Sequence, residues 1–558
     1  MAETNSNQNV ILEKIKSEYI LKNIFEHLSL RKTLEIIRYN KNLQNKLNKD
    51  IKSYKEYLKI EIELILSENS SGKFINLDDI SHCHIFFDDN KEDMKKTYAK
   101  KSDKVTKIKL ILDYEIKTLY KLFKECRTIK KINFIKFNRK DIYNISYIFY
   151  NCSSLEEINL SNLNNNNFTN LIRMFYGCSS LKELNLKNFS TINAYYMSSM
   201  FYNCSSLKKL NLDNFNTSNV VNMSNMFYNC KSLEELNISN FNTSKVIDMS
   251  YMFYNCYSLK ELNLNNFNTS KVKNMSNMFQ NCSSLKELDL SNFISHDIKE
   301  MNFMFNECSS LIKLDISNIN NNNSPNMKEM FSGCKSLKEL NMSNFNRKKR
   351  KIDENNVFHK YSILDYVPMC DMSHMFSFCS SLKEIDLSNF NTTWVSNMSG
   401  LFYNCSSLKE INFSNFETYN VTDMNNMFYN CSSLKEINLS NFETYNVTDM
   451  NKMFYNCSSL KKLDLSNFKT NKVILMDYMF FKCSSLKELN LSNFNTNNVT
   501  KMNNMFYDCS SLKDLNINNF NVDNVVDSKN IFFGCHELNN LDELEKKINN
   551  QYSYCICI

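Results

Sequence analysis

From Ile148 to the end of the chain, apolar and polar positions repeat as one sentence, of which residues 278–290, MFQNCSSLKELDL, are a copy. Its cysteine measures the period. Cys126 to Cys334 are nine cysteines spaced 26 residues apart, and the spacing resumes from Cys379 to Cys535, giving 16 in register. A Phe stands three residues before each one, from Phe123 to Phe532. A fixed period of this size predicts a solenoid, in which no coil can bury its apolar face without its neighbours.

Each coil reads as strand, turn, short helix, turn. After Cys282, Leu285, Leu288 and Leu290 follow an LxxLxL pattern, and Leu288 and Leu290 alternate as a strand with side chains directed inward. Asn292 follows, in a position able to bond backbone groups of its own coil and the next, so a buried amide ladder is expected there. Val220, Met223, Met226 and Phe227 have helical spacing, and Thr217 or Ser218 before them fits a helix cap. Phe279 and Cys282 belong to the packed interior, the cysteines as small, reduced hydrophobes pointing inward in parallel.

On these residues the chain between Cys126 and Leu544 resembles the BspA-like leucine-rich repeat, whose signature is MFxxCxSLxxLxLSNFxTxxVxxM. The resemblance implies an α/β solenoid, a right-handed stack of about 16 coils with one parallel sheet. It also implies adhesion or protein binding without catalysis. Bacterial members are exported, which makes a surface adhesin one alternative.

The repeat is broken in two places. Residues 1–105 hold amphipathic patterns through Ile15, Tyr19 and Ile24, through Leu34, Ile37 and Leu43, and through Ile51, Tyr54, Leu58, Ile62 and Ile65, predicting a small helical domain. Its stretch EYILKNIFEHLSLRKTLEIIRYNKNLQNKL resembles an F-box without the opening Pro and closing Trp. That implies a Skp-type adaptor as partner, with Ile24, Phe25 and Leu28 as contacts and a ubiquitin-ligase adaptor as another alternative function. The second break is an insertion at 346–368 between repeat blocks 106–345 and 369–545. It opens with Arg347, Lys348, Lys349, Arg350 and Lys351, a solvated loop or a patch for an acidic partner. A tail, 546–558, ends Cys555-Ile556-Cys557-Ile558, formally a prenylation box.

Composition narrows the function. The net charge of +7 is local, because residues 100–140 hold 14 Lys and Arg against 4 Asp and Glu. With no aromatic-interleaved groove beside it, this reads as a solvated cap, and no nucleic acid is expected as partner. Five glycines, never closer than 67 residues, exclude the phosphate loops and nucleophile elbows of many enzymes. His82-Cys83-His84 with Asp88 and Asp89 is the one metal-like cluster, and an exposed polar strand accounts for it. No enzyme activity, cofactor or metal is expected. Neither an export signal nor a run of about 18 apolar residues is evident, so an intracellular, cytoplasmic protein is expected, with the nucleus or the cell surface as alternatives. Asn-Cys-Ser acceptors such as Asn281 and Asn430 agree, since glycans there would crowd the next coil.

What remains is a protein-binding surface. One column is acidic and polar, Glu261 and Glu287 on the sheet face. Another is aromatic, Tyr202, Tyr228 and Tyr254, each following the repeated Phe. Near-identical coils cannot tell partners apart, so specificity is expected at the irregular places, and the oligomeric state stays open.

Overall fold

The computed structural model describes residues 15–552 apart from 16, 27, 29, 39, 49, 69, 164, 296, 320–324, 344, 346–369 and 389. The chain divides into two units, Met1–Tyr195 with Asn211–Asn216, and Tyr196–Leu210 with Thr217–Ile558.

In the first unit, helices α1 (Glu18–Glu26), α2 (Leu30–Ile37), α3 (Lys41–Leu47) and α4 (Ile51–Tyr57) close on Leu21, Phe25, Leu34, Ile37, Leu43, Leu47, Tyr54 and Leu58. Their short lengths follow from capping. Asn40 Oδ1 accepts from the Leu43 amide at 3.0 Å and Asp50 Oδ1 from the Ser53 amide at 2.7 Å, each starting a new helix.

The helical reading of 1–105 holds only to Tyr57. Ile62 and Ile65, expected on a third helix, lie on strand β1 (Ile60–Leu66) instead. The stretch IEIELIL buries Ile60, Ile62, Leu64 and Leu66 on one face, and that period of two prevails over the looser helical spacing. Strands β2 (Gly72–Lys73) and β4 (Tyr98–Ala99) pair with each other. Strands β3 (Cys83–Phe87), β5 (Lys107–Leu112), β6 (Ile129–Lys136) and β7 (Glu157–Asn159) join β1 in the order β3-β5-β1-β6-β7. The pairing is antiparallel up to β6, and β6 pairs β7 in parallel with Ile132 opposite Ile158. Much of the basic stretch 100–140 forms ion pairs here, Lys107 with Glu63 at 2.5 Å, Lys109 with Glu61 at 3.1 Å and Lys131 with Glu157 at 2.7 Å.

The repeats form a β-solenoid of the leucine-rich-repeat class, of about 13 turns rather than about 16 coils. At the Cys126 segment, β6 lies beside antiparallel β1, and beyond Cys535 the chain passes into helix α5 (Leu541–Tyr552). Short parallel strands carry the LxL residues, with Leu288, Leu314 and Leu340 directly opposite one another. A second row of parallel bridges runs through Asn222, Asp248, Asn274, Glu300 and Asn326. Between the rows, Phe227, Phe253, Phe279, Phe305 and Phe331 stack at 5.5 Å.

The VxxMxxMF half-coil is not a helix. Asn225 and Asn229 both stand at φ 58°, which an α-helix excludes. The amides alternate instead. Those of Met223, Asn225, Phe227 and Asn229 donate to Asp248, Ser250, Met252 and Tyr254 of the next coil at 2.8–3.0 Å, while those of Met226, Tyr228 and Cys230 close turns within their own coil. Apolar spacing of three and four arises here from a chain of tight turns, and Asn supplies the left-handed residue. Thr217 is accordingly no helix cap. Its buried hydroxyl donates to the Asn242 carbonyl at 2.9 Å and accepts from the Asn242 amide at 2.8 Å.

Stacking runs past the insertion in register. The Phe331 and Phe376 rings are 5.5 Å apart, the Phe331 amide donates to Met375 at 2.9 Å, and Cys379 Sγ donates to the Phe331 carbonyl at 3.2 Å.

Candidate protein-binding surface

The ladders separate what is structural from what is presented. Cys282 is buried and its Sγ donates to the Phe253 carbonyl of the preceding coil at 3.2 Å. The described coil cysteines are free, and burial pushes the thiols of Cys308 and Cys483 up to about 12. Phe279 is buried in its stack. Asn292 is a ladder residue of another kind than expected: it is exposed, and its amide donates to Asn265 of the preceding coil. A second amide ladder, not foreseen, occupies left-handed positions, where Asn430 donates to Asn404 and Asn456 to Asn430, both at 2.6 Å.

Glu261 and Glu287 are exposed on the sheet face and line an open hollow of about 560 Å³ with Lys260, Asn263, Ser284, Lys286 and Asp289. Tyr202, Tyr228 and Tyr254 are half-buried and stacked face to face, with centroids 4.3 and 4.5 Å apart. Burial raises the Tyr228 hydroxyl pKa. Stacked this way the rings shield one another's faces and present their edges. The stack resumes at Tyr403, Tyr429 and Tyr455, at 4.5 and 4.4 Å.

Between Tyr254 and Tyr403 the stripe sinks. Gln280, Asn306, Ser332 and Ser377 take the ring positions, and the last three are buried. An amide relay crosses the gap: Asn277 donates to Gln280, Gln280 to Asn306 at 2.9 Å, and Asn306 to the Glu329 carboxylate at 3.4 Å. In the neighbouring columns, the Glu307 side chain lies over Gly333 and the His374 ring over Gly400, places where a Cβ would collide with them. Both glycines have positive φ. Burial lowers the His374 pKa, with the Glu329 charge acting the other way. Phe378 stands 42% exposed beside Tyr403, ring centroids 5.4 Å apart. This recess in the ring column is its one interruption in the second unit among the described residues, and no single coil shows it. Reading down each column would have shown it.

The N-terminal candidates part company. Phe25 is in the helical core and Leu28 packs against it, while Ile24 is exposed with Ile20 one turn before it. Arg347, Lys348, Lys349, Arg350 and Lys351, and the tail from Cys555 to Ile558, lie outside the described residues.

The His82 region differs from the expected polar strand. Strand β3 buries Cys83, and His84 sits between Asp93 at 2.8 Å and Asp113 at 3.1 Å. Asp88 is occupied by the amides of Thr106 and Lys107. His82, Asp113 and Glu115 bring ligand atoms within 4.8 Å of one another, but Lys55 pairs with Glu115 at 2.6 Å and Lys59 with Asp113 at 3.3 Å. The cluster is a neutralised ion network.

The family described as "Mycoplasma protein of unknown function, DUF285" matches residues 117–235, 195–309, 284–365, 345–463, 370–487 and 432–547. The chain belongs to this family. No curated protein matches it. Among solved structures, this DUF285 chain is similar to an internalin, InlF, from Listeria monocytogenes, at 15% identity over 72% of this chain and 86% of that one, with a TM-score of 0.22. It is similar to a leucine-rich repeat protein from Eubacterium ventriosum, at 14% identity over 72% and 89%, TM-score 0.26. The functional domain of InlJ from Listeria monocytogenes, described as including a cysteine ladder, matches at 13% identity over 69% and 62%, TM-score 0.15. Among the described residues of the DUF285 chain no helix is long and apolar enough to cross a membrane.

Proposed function

We propose that this chain is a non-catalytic scaffold that holds a protein partner at the recess between Tyr254 and Tyr403. The observation that carries the reading is the interruption itself. Elsewhere the column is ring on ring, whereas here the stacks that end at Tyr254 and Tyr403 are separated by Gln280 and the buried Asn306, Ser332 and Ser377, with Phe378 and His374 beside the Tyr403 ring. A polar gap between aromatic stretches suits a hot spot, which needs a distinct place rather than an even surface. The Glu329 carboxylate and the exposed Phe378 suit a cationic side chain from the partner, beside Glu307, which Lys335 approaches at 3.9 Å.

The test is to refill the column with Gln280→Tyr, Asn306→Tyr, Ser332→Tyr and Ser377→Tyr and compare affinity captures from lysate. The refilled protein should fold and lose the captured partner, while removing residues 405–456, two whole repeats, should leave affinity within about threefold. Retention of the partner by the refilled protein would overturn the reading. Graded loss with every repeat removed would make the regular coils the site.

Two further readings rest on specific observations. Exposed Ile20 and Ile24 on α1 offer an apolar patch to a helical partner such as a Skp-type adaptor, and co-purification with one would support an F-box-like role. Free, buried thiols and the sequon asparagines held in the amide ladder support an intracellular, cytoplasmic location over a BspA-like surface adhesin. Labelling by protease shaving of intact cells distinguishes these.

A further inference from the structure

On the sheet face of the second unit, in the six coils that follow the insertion, two columns of opposite charge run side by side. One is Lys383, Lys409, Lys435, Lys461, Lys487 and Lys513, all exposed. The other, one residue on in each coil, is Glu384, Glu410, Glu436, Lys462, Glu488 and Asp514, also exposed. Coils hold the columns in register: Glu384 lies opposite Glu410, Lys462 opposite Glu488, and the Lys409 amide donates to Lys383 at 2.7 Å.

Successive strands stand about 4.8 Å apart, so each column is a row of like charges at that spacing, an unfavourable arrangement on a sheet. The rows do not relieve each other. None of the six lysines has a carboxylate of a described residue within 4.0 Å, and the one ion pair in these coils is Lys462 with Glu488 at 2.7 Å, where a lysine interrupts the acidic row.

We propose that this face pairs with the same face of a second copy of the chain, the two solenoids running parallel. Symmetry selects the partner and its direction. A two-fold axis along the columns and midway between them sets the lysine row of one copy over the acidic row of the other, coil for coil, twice over. A two-fold axis across the columns sets lysine over lysine. A polyanion would satisfy the lysines and be repelled by the adjacent acids, so the double row fits another double row. Within these six coils Lys462 is the single mismatch, since it meets Lys461 of the second copy. The coils before the insertion break the pattern at Lys208-Lys209, Glu234-Glu235 and Ile312-Lys313 and stand outside the pairing.

The pairing is electrostatic, so it weakens as salt shortens the Debye length from about 30 Å at 0.01 M to about 3 Å at 1 M. Sedimentation of the full chain should show a dimer at the low end of that range and a monomer at the high end. Lys462→Glu should tighten the low-salt dimer severalfold. A triple variant Lys383→Glu, Lys409→Glu, Lys435→Glu should be monomeric, and so should Glu384→Lys, Glu410→Lys, Glu436→Lys. Mixing the two should restore a dimer, as a heterodimer. If the triple variants lose their circular-dichroism signature, carbodiimide cross-linking of isotopically light and heavy wild-type chains replaces them, and Lys435–Glu436 links between light and heavy chains are the expected product. A wild-type monomer at low salt, a dimer indifferent to Lys462→Glu, or the absence of mixed links would each overturn the proposal. The recess variant described above should dimerise normally, so failure here and failure of the partner site are told apart.

Discussion

The hydroxyl of Thr470 donates to the Asn495 carbonyl at 2.8 Å and accepts from the Asn495 amide at 2.7 Å, so one buried side chain completes both backbone groups of a residue in the next coil. Thr418 does the same for Glu443 and Thr444 for Lys469. The connecting turns offer these groups no partner of their own, and the threonine column supplies it.

Thr470→Val keeps the shape and removes the hydroxyl. Two part-buried backbone groups then lose their partner, which costs up to about 1–3 kcal/mol for each group that water does not reach. Thr470→Ser should recover most of that loss. Urea denaturation of the two variants measures the difference, and amide exchange at Asn495 should quicken in the valine variant alone.

Asn430 sits at φ 59° and links Asn404 to Asn456 through its amide. Asn430→Gly keeps the conformation and loses the ladder bonds. Asn430→Val adds a β-branched side chain where left-handed backbone costs an ordinary residue about 1–2 kcal/mol. The valine variant should therefore melt clearly below the glycine variant. Equal melting would show that the turn can relax.

Burial holds the thiols of Cys308, Cys379 and Cys483 at about 12, against about 8.5 for an exposed cysteine. Folded protein thus keeps protons that the unfolded chain releases first. The stabilisation is complete below pH about 8.5 and is lost progressively as pH rises toward about 12. Denaturant midpoints should fall steadily across that window. Iodoacetamide at pH 8 should leave these thiols unmodified until the protein is unfolded.

Removing residues 347–365 restores the 26-residue spacing between Cys334 and Cys379. Because Phe331 already stacks on Phe376 across the insertion, the shortened chain should unfold cooperatively with an unchanged far-ultraviolet spectrum. Loss of that transition would place part of the insertion in the packed interior.

The repeat was legible because its inward positions admit so little variation: Phe279, Cys282 and Leu288 meet their equivalents in the next coil and must match them. Backbone handedness was not legible. Met223, Met226 and Phe227 are spaced as on a helix, and only the left-handed Asn225 and Asn229 reveal a chain of turns. Thr217 before that segment imitated a cap for the same reason. Ile51 to Ile65 fitted one helix, yet Ile60, Ile62 and Leu64 also alternate, and the cross-strand partners Leu110 and Phe134 decided between the two periods. Of the candidate site, the tyrosine column was visible, while its interruption depends on Asn306 and Ser332 being read against Tyr254 rather than against their own coil.

The direction of the side-chain bonds gives the second unit a grain. The repeat cysteines reach back to the Phe carbonyl of the coil before, as Cys457 does to Phe428, and the buried threonines of the Thr418, Thr444, Thr470 and Thr496 column reach forward to the coil after, as Thr444 does to Lys469. A coil is therefore not interchangeable with its reverse. Cut the stack between the coils of Thr418 and Thr496 and one broken surface shows an unanswered threonine while the other shows an unanswered thiol. Over that stretch the stack can be lengthened or shortened by whole repeats, because each cut face there meets a face of the opposite kind. A coding change of 78 bases there, one whole repeat, would lengthen or shorten the stack and leave its construction the same.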